Sequence, residues 1–86
     1  MVVYSKRVLK AVEKGKIPGQ IWRDFRDSFE AFDKTRNFRI FDIKKMVDKG
    51  PYKYYRLRLG SCRAIFRLDE DITVEDIGWR GSIYER

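Results

Sequence analysis

Apolar residues recur along this chain first with the spacing of helices and then with the alternation of strands. Val8, Leu9 and Val12 fall at helical intervals behind Ser5, a residue type that caps helix starts, so a first helix is predicted there. Met1 to Tyr4 reads as a short edge strand leading into it. Gly15-Lys16-Ile17-Pro18-Gly19 breaks the pattern, and Pro18 suits the first turn of a second helix. From Gln20 to Asp33 the side chains of Ile21, Trp22, Phe25, Phe29 and Phe32 keep to one stripe, flanked by Arg23–Asp27 and Arg26–Glu30 pairs four residues apart. Such a stripe packs on a sheet.

Beyond Asn37 the period changes. Phe38 to Val47 reads equally as a strand or a loop, and Gly50-Pro51 is a turn. Tyr54 to Leu59 alternates: Tyr55, Leu57 and Leu59 share one face, Tyr54, Arg56 and Arg58 the other. Gly60-Ser61 is a hairpin turn. Cys62 to Leu68 returns with Cys62, Ala64, Phe66 and Leu68 on one face and Arg63, Ile65 and Arg67 on the other. After Asp69-Glu70-Asp71, Ile72 to Trp79 forms a last long strand. The expected fold is α+β: two N-terminal helices packed on a small antiparallel sheet of three to four strands, one domain over residues 1–86.

Charge adds a direction. The net charge is +7, and residues 44–67 alone hold Lys44, Lys45, Lys49, Lys53, Arg56, Arg58, Arg63 and Arg67 against Asp48. That segment presents a basic face suited to an anionic partner. Arg56 and Arg58 project together from one strand, and the hairpin brings Arg63 beside them. Guanidinium groups so close repel one another unless an anion lies between them, which points to a phosphate site. The plainer alternative is a solvated face paired with Asp69, Glu70 and Asp71. An apolar fraction of 43% with 15% aromatics excludes disorder. No run is long and apolar enough to span a membrane, and no signal peptide is expected, so the chain reads as cytoplasmic. With one cysteine and no histidine, neither a disulfide, a metal site nor a cofactor is expected. Cys62 reads as a small buried residue facing away from Arg63.

The run Tyr54-Tyr55-Arg56-Leu57-Arg58-Leu59-Gly60-Ser61-Cys62-Arg63-Ala64-Ile65-Phe66 resembles the central hairpin of the RelE/ParE toxins. Ile77-Gly78-Trp79-Arg80-Gly81-Ser82-Ile83-Tyr84 resembles that superfamily's last strand and its arginine-to-tyrosine ending. The resemblance implies a toxin of a type II toxin–antitoxin system, with a RelE-like branch favoured. It implies a metal-independent, ribosome-dependent messenger-RNA endonuclease whose partners are the ribosome, the message and a cognate antitoxin, and no membrane. It also assigns residues: Arg56 and Arg58 to the paired basic positions, Arg63 and Arg80 to charge stabilisation at the scissile phosphate, and Tyr84 to stacking or positioning. Lys44, Lys45, Lys53 and Tyr54 would bind RNA around them. The sequence departs from the family in holding arginine where lysine is common. Arginine stays protonated and makes a poor general base, so the proton acceptor is left open among Tyr84, Tyr54 and Lys53. Two other functions stand beside this one: a ParE-like inhibitor of DNA gyrase, and a basic RNA-binding domain without toxicity.

Overall fold

The computed structural model describes residues 1–46 and 50–79. The chain runs β1 (Val2–Tyr4), α1 (Lys6–Glu13), α2 (Gly19–Thr35), β2 (Ile43–Lys45), β3 (Tyr54–Leu59), β4 (Cys62–Leu68) and β5 (Ile72–Trp79). The strands form one sheet in the order β1-β5-β4-β3-β2. β1 pairs in parallel with β5, while β2, β3, β4 and β5 pair antiparallel in turn.

This corrects the expected architecture. Among the described residues the sheet is mixed and has five strands, not three to four in a purely antiparallel arrangement; the edge strand read at Met1 to Tyr4 is present as β1 and pairs in parallel with β5. β1 and β2 are three residues each, and β2, in the segment that reads equally as strand or loop, is too short for alternation to declare itself in the sequence. Each exists because a longer neighbour offers it a free edge: Val2 lies opposite Ile72, and Ile43 opposite Leu57.

Ser5 does cap α1, its hydroxyl accepting from the Val8 N–H at 3.2 Å. The same hydroxyl donates to the Glu75 carbonyl at 2.8 Å, which fastens the helix start to β5. α2 begins one residue after Pro18 and ends at Arg36, whose φ of 53° is in the left-handed region that side chains other than glycine seldom adopt. Its guanidinium compensates by clamping three acceptors: the Asp33 carboxylate at 2.9 Å and the carbonyls of Asp69 and Glu70 at 3.2 and 2.7 Å. The acidic turn therefore serves the end of α2 through its backbone.

Phe25, Phe29 and Phe32 are fully buried, against Leu57, Ala64, Phe66, Ile72 and Val74 of the sheet. Phe29 and Phe66 meet edge to face at 5.2 Å, and Phe66 also stacks with Tyr55 at 5.7 Å. Val8 joins this core from α1, whereas Leu9, counted in the same apolar stripe, is half exposed. Tyr4 packs its ring on Trp22 at 4.8 Å. Its buried hydroxyl has no hydrogen-bond partner among the described residues. Burial, aided by the Glu30 carboxylate, pushes the phenol up to about 12 from its ordinary 10.0. The unfolded chain therefore releases this proton first, and stability falls as pH rises from 10 to 12. Tyr4→Phe is expected to raise stability at neutral pH by about 1 kcal/mol, the cost of an unsatisfied buried hydroxyl. It should also flatten the alkaline loss, so thermal melts at neutral and alkaline pH check both effects.

Candidate anion-binding face

The two sides of the β3–β4 hairpin differ in kind. Register places Leu57 opposite Ala64 and Tyr55 opposite Phe66 on the core side. On the other side Arg58 lies opposite Arg63, Arg56 opposite Ile65, and Tyr54 opposite Arg67. Lys44 of β2 falls opposite Arg56 and so shares the arginine side. Lys45 falls opposite Tyr55 and does not. Lys53 is exposed just before β3. Arg80 and Tyr84 lie outside the described residues.

Arg56, Arg58 and Arg63 are thus brought together, but in unequal states. The Arg58 side chain is 48% exposed and the Arg56 side chain 16%. Arg63 is only 3% exposed. Its Nη1 folds back on its own turn and donates to the carbonyls of Gly60 and Cys62, at 3.1 and 3.2 Å. Arg63 Nε and Arg56 Nε are buried and have no hydrogen-bond partner among the described residues. A buried donor left in that state costs about 1–3 kcal/mol. Arg67 sits at one end of the face, over the Tyr52 ring at 4.4 Å, with its Nε 3.3 Å from a Glu75 oxygen but poorly aimed at it.

The repulsion among these cations is relieved by Asp42. Its carboxylate accepts from Arg58 Nε and lies 3.9 Å from Arg56 Nη2, while its backbone carbonyl accepts the Arg58 N–H at 3.0 Å. Sequence reasoning missed this counter-ion; the carboxylates it named, in the alternative to a phosphate site, are Asp69, Glu70 and Asp71. The signal was present, since a strand at Ile43 pairing with β3 carries Asp42 to the level of Arg58. It stays hidden while the segment reads equally as strand or loop.

Cys62 belongs to the core side, and burial pushes its thiol up, partly offset by neighbouring Arg63. Among the described residues no group of three or more metal-ligating side chains comes together, and no helix is long and apolar enough to cross a membrane. The chemistry available on this face is the binding of anions. Arginine does not give up its proton at ordinary pH, and the one carboxylate within reach of the pair is engaged with it.

No family model matches the chain, and no curated protein matches it. Among solved structures it is similar to a chain of the archaeal RelE–RelB complex from Pyrococcus horikoshii OT3. The TM-score is 0.73 and the identity 27%, covering 93% of each chain. It is similar to the same degree, with a TM-score of 0.73 and 26% identity, to a chain of the RelB–RelE antitoxin–toxin complex from Methanococcus jannaschii. That match covers 96% of this chain and 95% of the other.

These findings correct what the family resemblance implied. Both neighbours come from two-protein toxin–antitoxin assemblies, and the likeness reaches as far as that setting. It does not make this chain the RelE/ParE toxin, and that assignment is withdrawn. With it go the endoribonuclease, the ribosome and message as partners, and the gyrase inhibitor, none of which the neighbours support.

Proposed function

We propose that the chain is one member of a toxin–antitoxin pair and acts by binding its partner protein, whose contacting segment is acidic. The observation that carries this reading is the arginine face, where Arg56 and Arg63 each hold a buried Nε without a hydrogen-bond partner among the described residues. A carboxylate arriving there recovers that cost and completes a charge-assisted pair. The likeness to chains solved as RelE–RelB complexes supports a protein partner, and the net charge of +7 supports an acidic one.

In this proposal Arg58 and Lys44 make the first, solvent-exposed contacts, and Arg56 and Arg63 receive the partner more deeply. Lys53 and Tyr54 lie at the rim. Co-expression with the product of the neighbouring open reading frame tests the reading. A stable complex on size-exclusion chromatography with light scattering, with affinity falling as salt rises, is the expected result. Separate elution of the two proteins at low salt would overturn it. Asp42→Asn frees Arg56 and Arg58 from their internal counter-ion. Since an exposed ion pair is worth about 0.2–1 kcal/mol, this variant should bind the partner a few-fold more tightly, as read by titration calorimetry.

A further inference from the structure

Asp42 stands where a bound anion would stand. Its carboxylate accepts from Arg58 Nε and lies 3.9 Å from Arg56 Nη2. The side chain reaches that place because its backbone is fastened. The Arg58 N–H donates to the Asp42 carbonyl at 3.0 Å, and the next residue, Ile43, begins β2 opposite Leu57. Pairing of β2 with β3 therefore tethers one carboxylate over the arginine pair. Positive charge remains in excess around it, since Lys44 falls opposite Arg56 and has no carboxylate partner among the described residues. Asp42 also satisfies the pair incompletely, because Arg56 keeps a buried Nε without a hydrogen-bond partner among the described residues. The Asp42 side chain is 38% exposed, and an ion pair so open to water is weak and exchanges readily.

We infer that Asp42 is a specificity-determining residue of this face, a tethered competitor that keeps single small anions off Arg56 and Arg58 and yields to a segment carrying several carboxylates. The inference rests on the partnership proposed above and names what the partner's segment must carry. Effective concentration is the physical reason. A carboxylate held by a short stretch of chain competes as though present at about millimolar concentration or more. An acetate or phosphate ion gains one contact and must displace it from bulk solution. A segment with several carboxylates meets Asp42 on equal terms. Once one of its carboxylates holds Arg58 or Lys44, the next is itself tethered, and its contact with Arg56 becomes intramolecular. The displaced Asp42 side chain turns to water while its backbone stays in β2, so the exchange leaves the sheet intact. Asp42 works by repelling unwanted anions as well as by occupying their place, a way in which specific sites reject the wrong ligand.

The test uses the full-length chain, Asp42→Asn and, as a second way of removing the charge, Asp42→Ser, with folding checked by circular dichroism. Acetate, inorganic phosphate and a short oligoglutamate are titrated into each, and isotope-edited NMR follows the Nε–H groups of Arg56 and Arg58. In the parent, oligoglutamate is expected to shift both signals at concentrations where acetate and phosphate leave them unmoved. In the variants the single anions should bind about tenfold more tightly or better, while oligoglutamate gains only a few-fold, so the preference collapses. An equal preference in parent and variants overturns the role of Asp42. A single-stranded oligonucleotide of the same charge that shifts the parent's signals where oligoglutamate does not overturns the choice of carboxylates. Failure of the parent to bind the product of the neighbouring open reading frame overturns the partnership by itself, because the titrations, which decide the role of Asp42, do not use that product.

Discussion

Phe29→Ala is expected to remove about 3–5 kcal/mol of stability, the range for deleting a buried phenylalanine ring. Phe29 is fully buried, and its ring touches Phe66 of β4, Phe25 one turn earlier on α2, and Tyr4 of β1. Those contacts join the helix to both the centre and the edge of the sheet, so the space left behind has rigid walls and collapses poorly. A domain of this length holds only about 4–13 kcal/mol in total, so the variant sits near the point of unfolding at ambient temperature. Urea denaturation of the two proteins checks it. Ile40→Ala, at a residue that is 63% exposed, should change stability by about 0.5 kcal/mol or less. If the two substitutions cost the same, α2 does not pack on the sheet as described.

Arg63→Met is expected to do two opposite things. Arg63 is a buried cation with no carboxylate partner among the described residues, and one of its nitrogens lacks any hydrogen bond. A side chain of similar length without charge removes the desolvation cost at the loss of the two bonds to Gly60 and Cys62. The net gain should be about 1–2 kcal/mol, seen as a melting temperature higher by roughly 5–10 °C. Affinity for the partner should fall at least about tenfold, because the carboxylate meant for this position arrives at an apolar group. Stabilisation with unchanged affinity would show that Arg63 takes no part in binding. Destabilisation would show that its two carbonyl bonds outweigh its burial. Natural chains keep such costly groups where function requires them.

Much of the fold was legible because long elements repeat their pattern several times. α2 and the strands β3 and β4 each carry enough alternating or helical positions to define a face, and their predicted core residues lie in or against the observed core. One local exception shows the limit. Ile65 lies opposite Asp76 and Phe66 opposite Val74, so Glu75 is passed over and Asp76 and Ile77 are both buried in succession. That bulge breaks the alternation of β5, and nothing in the local sequence marks it.

The candidate face was legible in its membership and not in its state. Alternation alone places Arg56, Arg58 and Arg63 on one side, and pairing of Arg58 with Arg63 follows from the two-residue turn between their strands. Whether each guanidinium is open or occupied depends on groups distant in the chain. Asp42, sixteen positions before Arg58, decides it for the pair. The carbonyls of Gly60 and Cys62 decide it for Arg63 by turning the side chain inward.

By itself the amino-acid order determined the periods of the long elements, the split of the hairpin into an apolar and a basic side, and the sign of the net charge the chain carries. Those properties are sums over neighbouring residues, and local spacing is enough to compute them. Tertiary structure alone decided the short strand β2, the parallel pairing of β1 with β5, the Asp42 counter-ion and the inward turn of Arg63. Each of these is a meeting of segments far apart in the chain, and such a meeting exists only once the core has brought them together.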